Sequence, residues 1–373
     1  MTGILLLGGF LGSGKTTLML KLAEGLQSQG FSVSLVTNDQ GDDLVDTGHA
    51  SSLGFDTQEI TGGCFCCKFP DLLGTLRNIA EVQNPDYVIA EAVGSCTDLN
   101  ATVIQPLSLF HSDFIHIAGF WALADGFRFG FTGEYAKLEL ENPISPLEVL
   151  VSHQISESAV VLLSKCDLLT PDEQQAAISR IAGLNPQAEI IKCSATTGKG
   201  LEKLIEILKR EEPVLPKQIV PLDYDVYAEA EAEYGWYNGS WNLKAGGDQD
   251  FDPVDAAVTV LSVLQEKLNA VRAEGVFPIA HAKVQVLTEN GSLKAGIAGG
   301  LLQAPDIMEM PETNFLKIVV NIRASYEPGV LSSAVSESVL PKLLESFPGS
   351  SVTEYLEQTL TPSRPEPTYR INK

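Results

Sequence analysis

Apolar runs of strand length alternate with helix-period segments along the first 210 residues. Ile4 to Leu7 form the first run; a glycine-rich turn follows, and then Leu18, Leu20, Leu22 and Leu26 fall among good helix formers. Similar runs end at Asn38 in FSVSLVTN, at Glu91 in DYVIAE and at Ser164 after Val160 to Leu163, and a short one, EII, precedes Lys192. Uninterrupted apolar strands separated by helical segments predict an α/β domain with a mostly parallel sheet flanked by helices.

The pattern changes after residue 210. KREEPVLPKQIVPLDYD concentrates Pro213, Pro216 and Pro221 among mixed charges, which predicts a boundary at 212–222 between a domain at 1–215 and a smaller one at 223–360. In the second domain Trp236, Tyr237 and Trp241 are expected to line a strand whose acidic neighbours form its solvated edges. Val254, Val258, Leu261, Leu264, Leu268 and Val271 have helical spacing. AHAKVQVLTENGSLKAGIAGG alternates about Asn290-Gly291 and predicts a hairpin, with His281, Lys283 and Gln285 on its polar face and His281 therefore expected to be solvated and not a ligand. FLKIVVNIRA reads as another strand, and GVLSSAVSESVLPKLLESF as a helix interrupted at Pro341. Together these predict an α+β domain with helices on one side of its sheet. Pro362, Pro365 and Pro367 suggest that the last dozen residues form a loose tail.

Between the first strand and first helix, Gly9 to Thr16 match G-x-x-x-x-G-K-[ST] without a gap. Gly9, Gly12, Ser13 and Gly14 would let the backbone curl so that its N–H groups face phosphate oxygens. The helix start at Lys15, Thr16 and Thr17 adds a favourable potential for anions. Lys15 would reach the β- and γ-phosphates, and the Thr16 hydroxyl would bind Mg²⁺.

Composition narrows the partners. Across 373 residues there are 48 acids and 25 bases, a net charge of −23. Duplex nucleic acid and anionic membranes reward clustered Lys and Arg, so neither is expected as a partner; the charge suits solubility and cationic ligands. Six cysteines, three of them crowded together, do not make a disulfide scaffold and point to reduced thiols in the cytoplasm. No secretory signal or membrane span is expected.

The base is read further along. Asp167, after the Val160 strand, offers a carboxylate to the N1–H and 2-amino group of guanine, donors that adenine lacks there. Lys165 can lay its alkyl stem along the base plane. Ser194-Ala195, after the next strand, could bring a backbone N–H to the guanine O6.

Taken together, GGFLGSGKTT, GGCFCC, Glu91-x-x-Gly94 and Ser164-Lys165-Cys166-Asp167 resemble the CobW-type P-loop GTPases, grouped with nickel accessory GTPases and zinc metallochaperones. The resemblance covers about the first 200 residues. It implies a P-loop NTPase fold that binds GTP and Mg²⁺ and hydrolyses GTP, slowly without a partner, since no arginine finger is evident. It places Glu91 as a Walker B-type carboxylate holding Mg²⁺ through water, Asp39 as the group orienting the attacking water, and the Gly94 N–H at the γ-phosphate. Two departures stand out: Ser164 where Asn or Thr is usual, and Asp39 where Glu is usual. The resemblance also implies a client, either a metalloprotein or, in an alternative reading, a corrinoid (cobalamin) protein undergoing assembly or reactivation. A module in which nucleotide only stabilises the fold is a third reading.

GGCFCC puts Cys64, Cys66 and Cys67 within four positions. Three thiolates suit Zn²⁺, with Co²⁺ or Cu⁺ less favoured. Thiol redox chemistry and plain packing remain as alternatives. A fourth ligand is outside the motif; Glu59, His49 or a client are candidates. Cys96, Cys166 and Cys193 sit in or beside apolar strands and are expected to pack.

Overall fold

The computed structural model describes residues 1–38, 45, 50, 54–130, 143, 145–246, 250–269 and 279–372. Asp39, His49 and Val271 lie outside the described residues. The chain divides into two compact units. One comprises Met1–Gln40, Phe55–Glu231 and Arg364–Lys373, the other Gly41–Gly54 and Ala232–Ser363.

The first unit is built on seven strands: β1 (Thr2–Gly9), β2 (Val33–Asn38), β3 (Thr57–Ile60), β4 (Tyr87–Glu91), β5 (Ile115–Asp125), β6 (Val160–Ser164) and β7 (Glu189–Lys192). They lie in the order β3-β2-β4-β1-β5-β6-β7, and every pairing is parallel. β1 and β6 are buried along their whole length, which explains their continuous apolar runs. Each of Ile4, Leu5, Leu6 and Leu7 is at most 2% exposed, a burial that stabilises by roughly 1.5–3 kcal/mol per side chain. Helix α1 (Lys15–Ser28) packs on β1, β2 and β4 through an apolar stripe that includes Leu18, Met19, Leu22 and Leu26. β5 was not singled out from sequence, although it is the longest strand of this sheet and pairs with β1 and β6. Because the strands are parallel, the segments after β1, β4, β5 and β6 leave from one edge, where ligands of open α/β sheets bind.

The second unit is an antiparallel sheet of β8 (Gly235–Lys244), β9 (Ile279–Thr288), β10 (Gly291–Ala298), β11 (Leu301–Gln303), β12 (Phe315–Ala324) and β13 (Ser351–Leu360), ordered β11-β10-β9-β12-β8-β13. One core joins Tyr237, Trp241, Val284, Val286, Ile318 and Val320 to Val260, Leu261, Leu264 and Leu268 of the helix Pro253–Asn269. The expected interruption at Pro341 is a π turn over Val335–Val339, between helical segments Pro328–Ala334 and Leu340–Ser346. The wider turn accommodates the missing N–H of proline.

Two expectations are corrected here. Thr288 pairs with Gly291, so the hairpin loop is Glu289-Asn290 and not Asn290-Gly291; Gly291 is the first residue of β10. His281 and Gln285 are not solvated, being 7% and 2% exposed. They belong to a buried polar face that also carries Asn238, Asn321 and Arg323, where Arg323 donates to Asn238 Oδ1 at 2.7 Å and the Val45 N–H donates to Asn321 Oδ1 at 2.9 Å. Alternation correctly separated the two faces of the strand. It could not show that the polar face is buried as well.

Candidate functional site

The phosphate end is assembled where β1 turns into α1. Gly12 and Gly14 hold φ of 76° and 95°, conformations that a side chain would strain. Gly14 N-caps α1 and has no side chain to fold back on that terminus, so an anion such as a phosphate group can approach the helix start. The Lys15 ammonium donates to the carbonyls of Gly9 (2.8 Å) and Phe10 (3.4 Å), and is held at the loop by its own backbone. Lys15 and Thr16 are buried, while Thr17 faces outward in the first turn.

β4 lies beside β1 with Glu91 opposite Leu7. This register brings the Thr16 hydroxyl to Glu91 Oε1 at 3.0 Å, the pairing that a magnesium site of this kind needs. Past Glu91 the chain turns back toward the phosphate loop. A Cβ on Gly94 would lie 2.8 Å from the Leu11 nitrogen and 2.9 Å from its Cα, so only glycine fits this approach. Gln154 fixes the same segment by donating to the carbonyls of Gly94 (3.1 Å) and Cys96 (2.8 Å).

The base end follows β6. Ser164 Oγ lies 2.7 Å from the Ser13 carbonyl and 3.2 Å from that of Ala124. The serine therefore ties the phosphate loop to β5 despite its short reach. Lys165 adopts a left-handed conformation (φ 52°) and its ammonium pairs with Asp125 Oδ2 at 2.8 Å, which holds the lysine stem in place. Asp167 is exposed, in a short 3₁₀ turn over Cys166–Leu168. The Ser194 N–H donates to the Lys199 carbonyl at 2.9 Å. Ser194 thus braces its own loop, and Ala195 beside it is half-buried. Sequence reasoning missed Asp125 and Arg128. Asp125 caps the turn Gly126–Phe129, and Arg128, 1% exposed, donates to the Leu11 carbonyl at 2.9 Å. Both come from β5 and its exit, so recognising that strand was the signal available.

The three clustered cysteines meet. Cys64 Sγ is 2.9 Å from Cys66 Sγ and 3.3 Å from Cys67 Sγ, and Cys66 and Cys67 are 3.8 Å apart. The loop is not extended between Cys64 and Cys66. It is a turn in which the Cys67 and Lys68 N–H groups donate to the Cys64 carbonyl, leading into the helix Phe69–Asn78. Asn38, the last residue of β2, clamps it by donating to the Ile60 and Gly63 carbonyls (2.9 and 2.8 Å) and accepting the Phe65 N–H (3.0 Å). Zinc–thiolate bonds of ~2.3 Å put the sulfurs of a tetrahedral site roughly 3.8 Å apart. The observed triad need open by less than about 1 Å to fit such an ion.

Hydrogen bonds from Cys66 and Cys67 hold the Cys64 thiol well below its usual range. The bond to Cys64 in turn pushes Cys66 well up and Cys67 to about 11. A metal ion bound here would take the sulfurs as thiolates and release their protons. Cys96 is fully buried, and burial pushes its thiol well up. Cys166 and Cys193 are also buried, and burial pushes Cys193 up to about 12, in keeping with packing. Of the proposed fourth ligands, Glu59 is exposed on β3.

The terminal segment also departs from expectation. It is not a loose tail. The Glu366 N–H donates to Cys67 Sγ (3.2 Å), the Thr368 N–H to the Cys66 carbonyl (2.9 Å), and Arg370 to both oxygens of Asp98 (2.7 and 3.3 Å). Tyr369 packs edge-on against Phe69 at 5.3 Å. Prolines signalled an irregular backbone; they gave no sign that this backbone would be tied down.

Among the described residues, no helix is long and apolar enough to cross a membrane. The chain is 28% identical over 185 residues to a protein named zinc chaperone CobW from Sinorhizobium sp., a match covering 43% of this chain and 50% of that one. It is 24% identical over 234 residues to zinc-regulated GTPase metalloprotein activator 1 of Dictyostelium discoideum, covering 50% and 44%. The chain thus spans about half the length of the curated relatives it matches. A solved structure titled Zn(II)-bound YjiA GTPase from E. coli aligns over 90% of this chain and 98% of its own, at 17% identity and a TM-score of 0.37. Residues 3–192 match the CobW/HypB/UreG nucleotide-binding domain, and the chain belongs to that family.

Proposed function

We propose that this protein is a GTPase of the metallochaperone type, in which the nucleotide state controls metal binding at Cys64, Cys66 and Cys67 and docking to a client metalloprotein. The observation that carries this reading is the triad of sulfurs, all within 4.8 Å of one another, clamped by Asn38 from a strand of the nucleotide-binding sheet. The names of the curated relatives favour zinc as the cargo. A site of three thiolates would work where thiols stay reduced, which suits the cytoplasm.

In this reading Gly9, Gly12, Ser13, Gly14, Lys15, Thr16 and Thr17 cradle the phosphates, and Lys165, Asp167, Ser194 and Ala195 receive guanine. Thr16 and Glu91 hold Mg²⁺, which supplies charge neutralisation at the phosphates. Gly94 presents its N–H to the γ-phosphate. Asp39 and Glu91 assist the attacking water.

Zinc affinity, measured by chelator competition under reducing conditions, tests the proposal. The protein is compared empty, with GDP and with a non-hydrolysable GTP analogue, beside a variant with all three cysteines changed to serine. A thiol-dependent affinity that shifts about tenfold between nucleotide states, 1.4 kcal/mol of coupling, is expected. Thiol-dependent affinity that ignores nucleotide would make the site structural. Absence of thiol-dependent binding would remove the metallochaperone reading.

A further inference from the structure

The three thiols are not equally placed. Cys64 and Cys66 are 3% and 1% exposed, while Cys67 is half-buried and is the one of the three that reaches solvent. It is covered by a segment from far along the chain, residues 364–372, which belongs to the same compact unit. The Glu366 N–H donates to Cys67 Sγ at 3.2 Å, the Thr368 N–H to the Cys66 carbonyl at 2.9 Å and the Thr368 hydroxyl to the Cys67 carbonyl at 3.4 Å. Tyr369 lies edge-on against Phe69, which opens the helix after the thiol loop. The Ile371 N–H donates to the Ala101 carbonyl at 3.0 Å. An ion that enters or leaves past Cys67 must first displace the bond from Glu366.

One carboxylate holds this segment down. Arg370 grips Asp98 at two points, Nε to Oδ2 at 2.7 Å and Nη2 to Oδ1 at 3.3 Å, and the Tyr224 hydroxyl donates to the same Oδ2 at 2.8 Å. Charge-assisted pairs of this kind are the stronger hydrogen bonds. Arg364 adds only an exposed ion pair with Asp225 at 2.9 Å, which contributes little. Asp98 is 1% exposed and holds φ of 62°, a left-handed backbone that a residue other than glycine keeps only where its surroundings fix it. It stands four residues past Gly94, on the segment that leaves β4 after Glu91. That segment meets Thr16 through Glu91 and Leu11 through Gly94. A movement of it at the phosphate loop displaces, a few residues on, the carboxylate that anchors the cover.

We propose that residues 364–372 form a strap that gates metal exchange at Cys64, Cys66 and Cys67, and that Asp98 is the clasp by which the segment after β4 holds or frees it. This rests on the metal-binding reading above and adds how the site is opened. Arg370 and Asp98 are positioning residues, acting on the metal only through the strap. A gate differs from a ligand in what it changes. Lifting a gate speeds entry and exit alike and leaves the equilibrium affinity nearly where it was. Losing a ligand speeds exit alone.

The test compares the full chain with Arg370→Ala, Arg370→Lys and Asp98→Asn. Lysine keeps the charge without the two-point grip, and asparagine tolerates the left-handed backbone without the charge. Thermal melting and GTP-analogue affinity check that each variant is folded. Iodoacetamide labelling of Cys67 in the reduced, metal-free protein, read by peptide mass spectrometry, reports the open population. Stopped-flow mixing with Zn²⁺, and of the Zn²⁺-loaded protein with excess chelator, gives entry and exit rates. Loss of a hydrogen bond to a charged group should make labelling and both zinc rates roughly 10- to 100-fold faster in Arg370→Ala and Asp98→Asn, with Zn²⁺ affinity changed by less than about threefold. Arg370→Lys should fall between, and it carries the result if either of the others fails to fold. In the unaltered protein the rates should differ between GDP and the GTP analogue, and Arg370→Ala and Asp98→Asn should erase that difference. Unchanged labelling and zinc rates in folded variants would overturn the strap and leave the three-cysteine site standing. Faster zinc exit matched by an equal fall in affinity would refute gating and make the segment part of the site itself. Rates that ignore nucleotide in the unaltered protein would remove Asp98 as the clasp. Absence of thiol-dependent Zn²⁺ binding in the unaltered protein would sink the metal reading, and the gate with it.

Discussion

Replacing Gly94 by alanine tests whether the segment after β4 and the phosphate loop move as one body. The added Cβ would stand 2.8 Å from the Leu11 nitrogen and Cδ2 and 2.9 Å from its Cα. Ordinary contact begins near 3.4 Å, so one backbone must withdraw by about 0.6 Å, well over the slack of a packed interior. Two of the three obstructing atoms are backbone, and rotamer change cannot relieve them. Overpacking of this sort costs about 1–3 kcal/mol. If the phosphate loop yields, that cost falls on nucleotide binding, and GTP affinity should drop by roughly 5- to 150-fold. Gly74→Ala is the control: it lies in the helix Phe69–Asn78 with nothing within 4 Å of its Cβ, and should be neutral or stabilising by up to about 1 kcal/mol. Fluorescent-nucleotide titration gives the affinities and thermal melting gives the stabilities. Gly94→Ala with unchanged GTP affinity and unchanged melting would refute the claim that the two segments press on each other. Unchanged GTP affinity with lowered melting would instead show that the segment after β4 had yielded.

Further outcomes follow from other contacts. Thr16→Val removes the hydroxyl that meets Glu91 at 3.0 Å; GTP binding should lose its dependence on Mg²⁺ while stability changes little, as isothermal titration with and without the ion would report. Burial pushes the Glu157 carboxyl up to about 8 from an ordinary 4.5. The folded protein therefore keeps a proton that the unfolded chain has lost, and stability should fall as pH rises between about 4.5 and 8, by up to about 1.4 kcal/mol per pH unit. Glu157→Gln should flatten that slope in denaturant titrations at several pH values. Arg370→Ala removes the pairing at 2.7 Å with Asp98, itself 1% exposed. A loss of about 1.5–3 kcal/mol is expected in urea melts, and chelator should strip Zn²⁺ faster as the terminal segment loosens from Cys66 and Cys67.

The phosphate site was legible because its chemistry is local: G-x-x-x-x-G-K-T dictates a strand–loop–helix, and β1 and α1 are found around it. The cysteine triad was legible for the same reason. What sequence did not show are the partners that arrive from distant parts of the chain. Asp125 and Arg128 come from β5 and its exit, Asn38 from the end of β2, and Glu366 and Thr368 from about 300 residues after Cys67. Each is an unremarkable residue type in its own neighbourhood. His281 failed for a related reason, since period-two alternation says which face a side chain takes but not what covers it. Asp39 and His49 fall outside the described residues, so their roles remain proposals from motif position.

Nucleotide and metal chemistry need a physical connection if either is to sense the other, and Asn38 offers one within this sheet. Asn38 ends the strand that leads to Asp39 and grips the cysteine loop by three hydrogen bonds of 2.8–3.0 Å. On the nucleotide side, Glu91 meets the Thr16 hydroxyl and Gly94 presses on Leu11 of the phosphate loop. Coupling of about 1–3 kcal/mol needs only that a nucleotide prefer one arrangement of such elements by that amount. Packed backbones change arrangement in steps and do not stretch smoothly. Asn38→Ala removes all three bonds, so it should loosen the loop and weaken Zn²⁺ binding by chelator competition in every nucleotide state. If Asn38 also carries the nucleotide signal, the difference in Zn²⁺ affinity between GDP and the GTP analogue should shrink with it. Unchanged Zn²⁺ affinity in a folded Asn38→Ala variant would refute the clamp, because the loop would then hold its shape without β2.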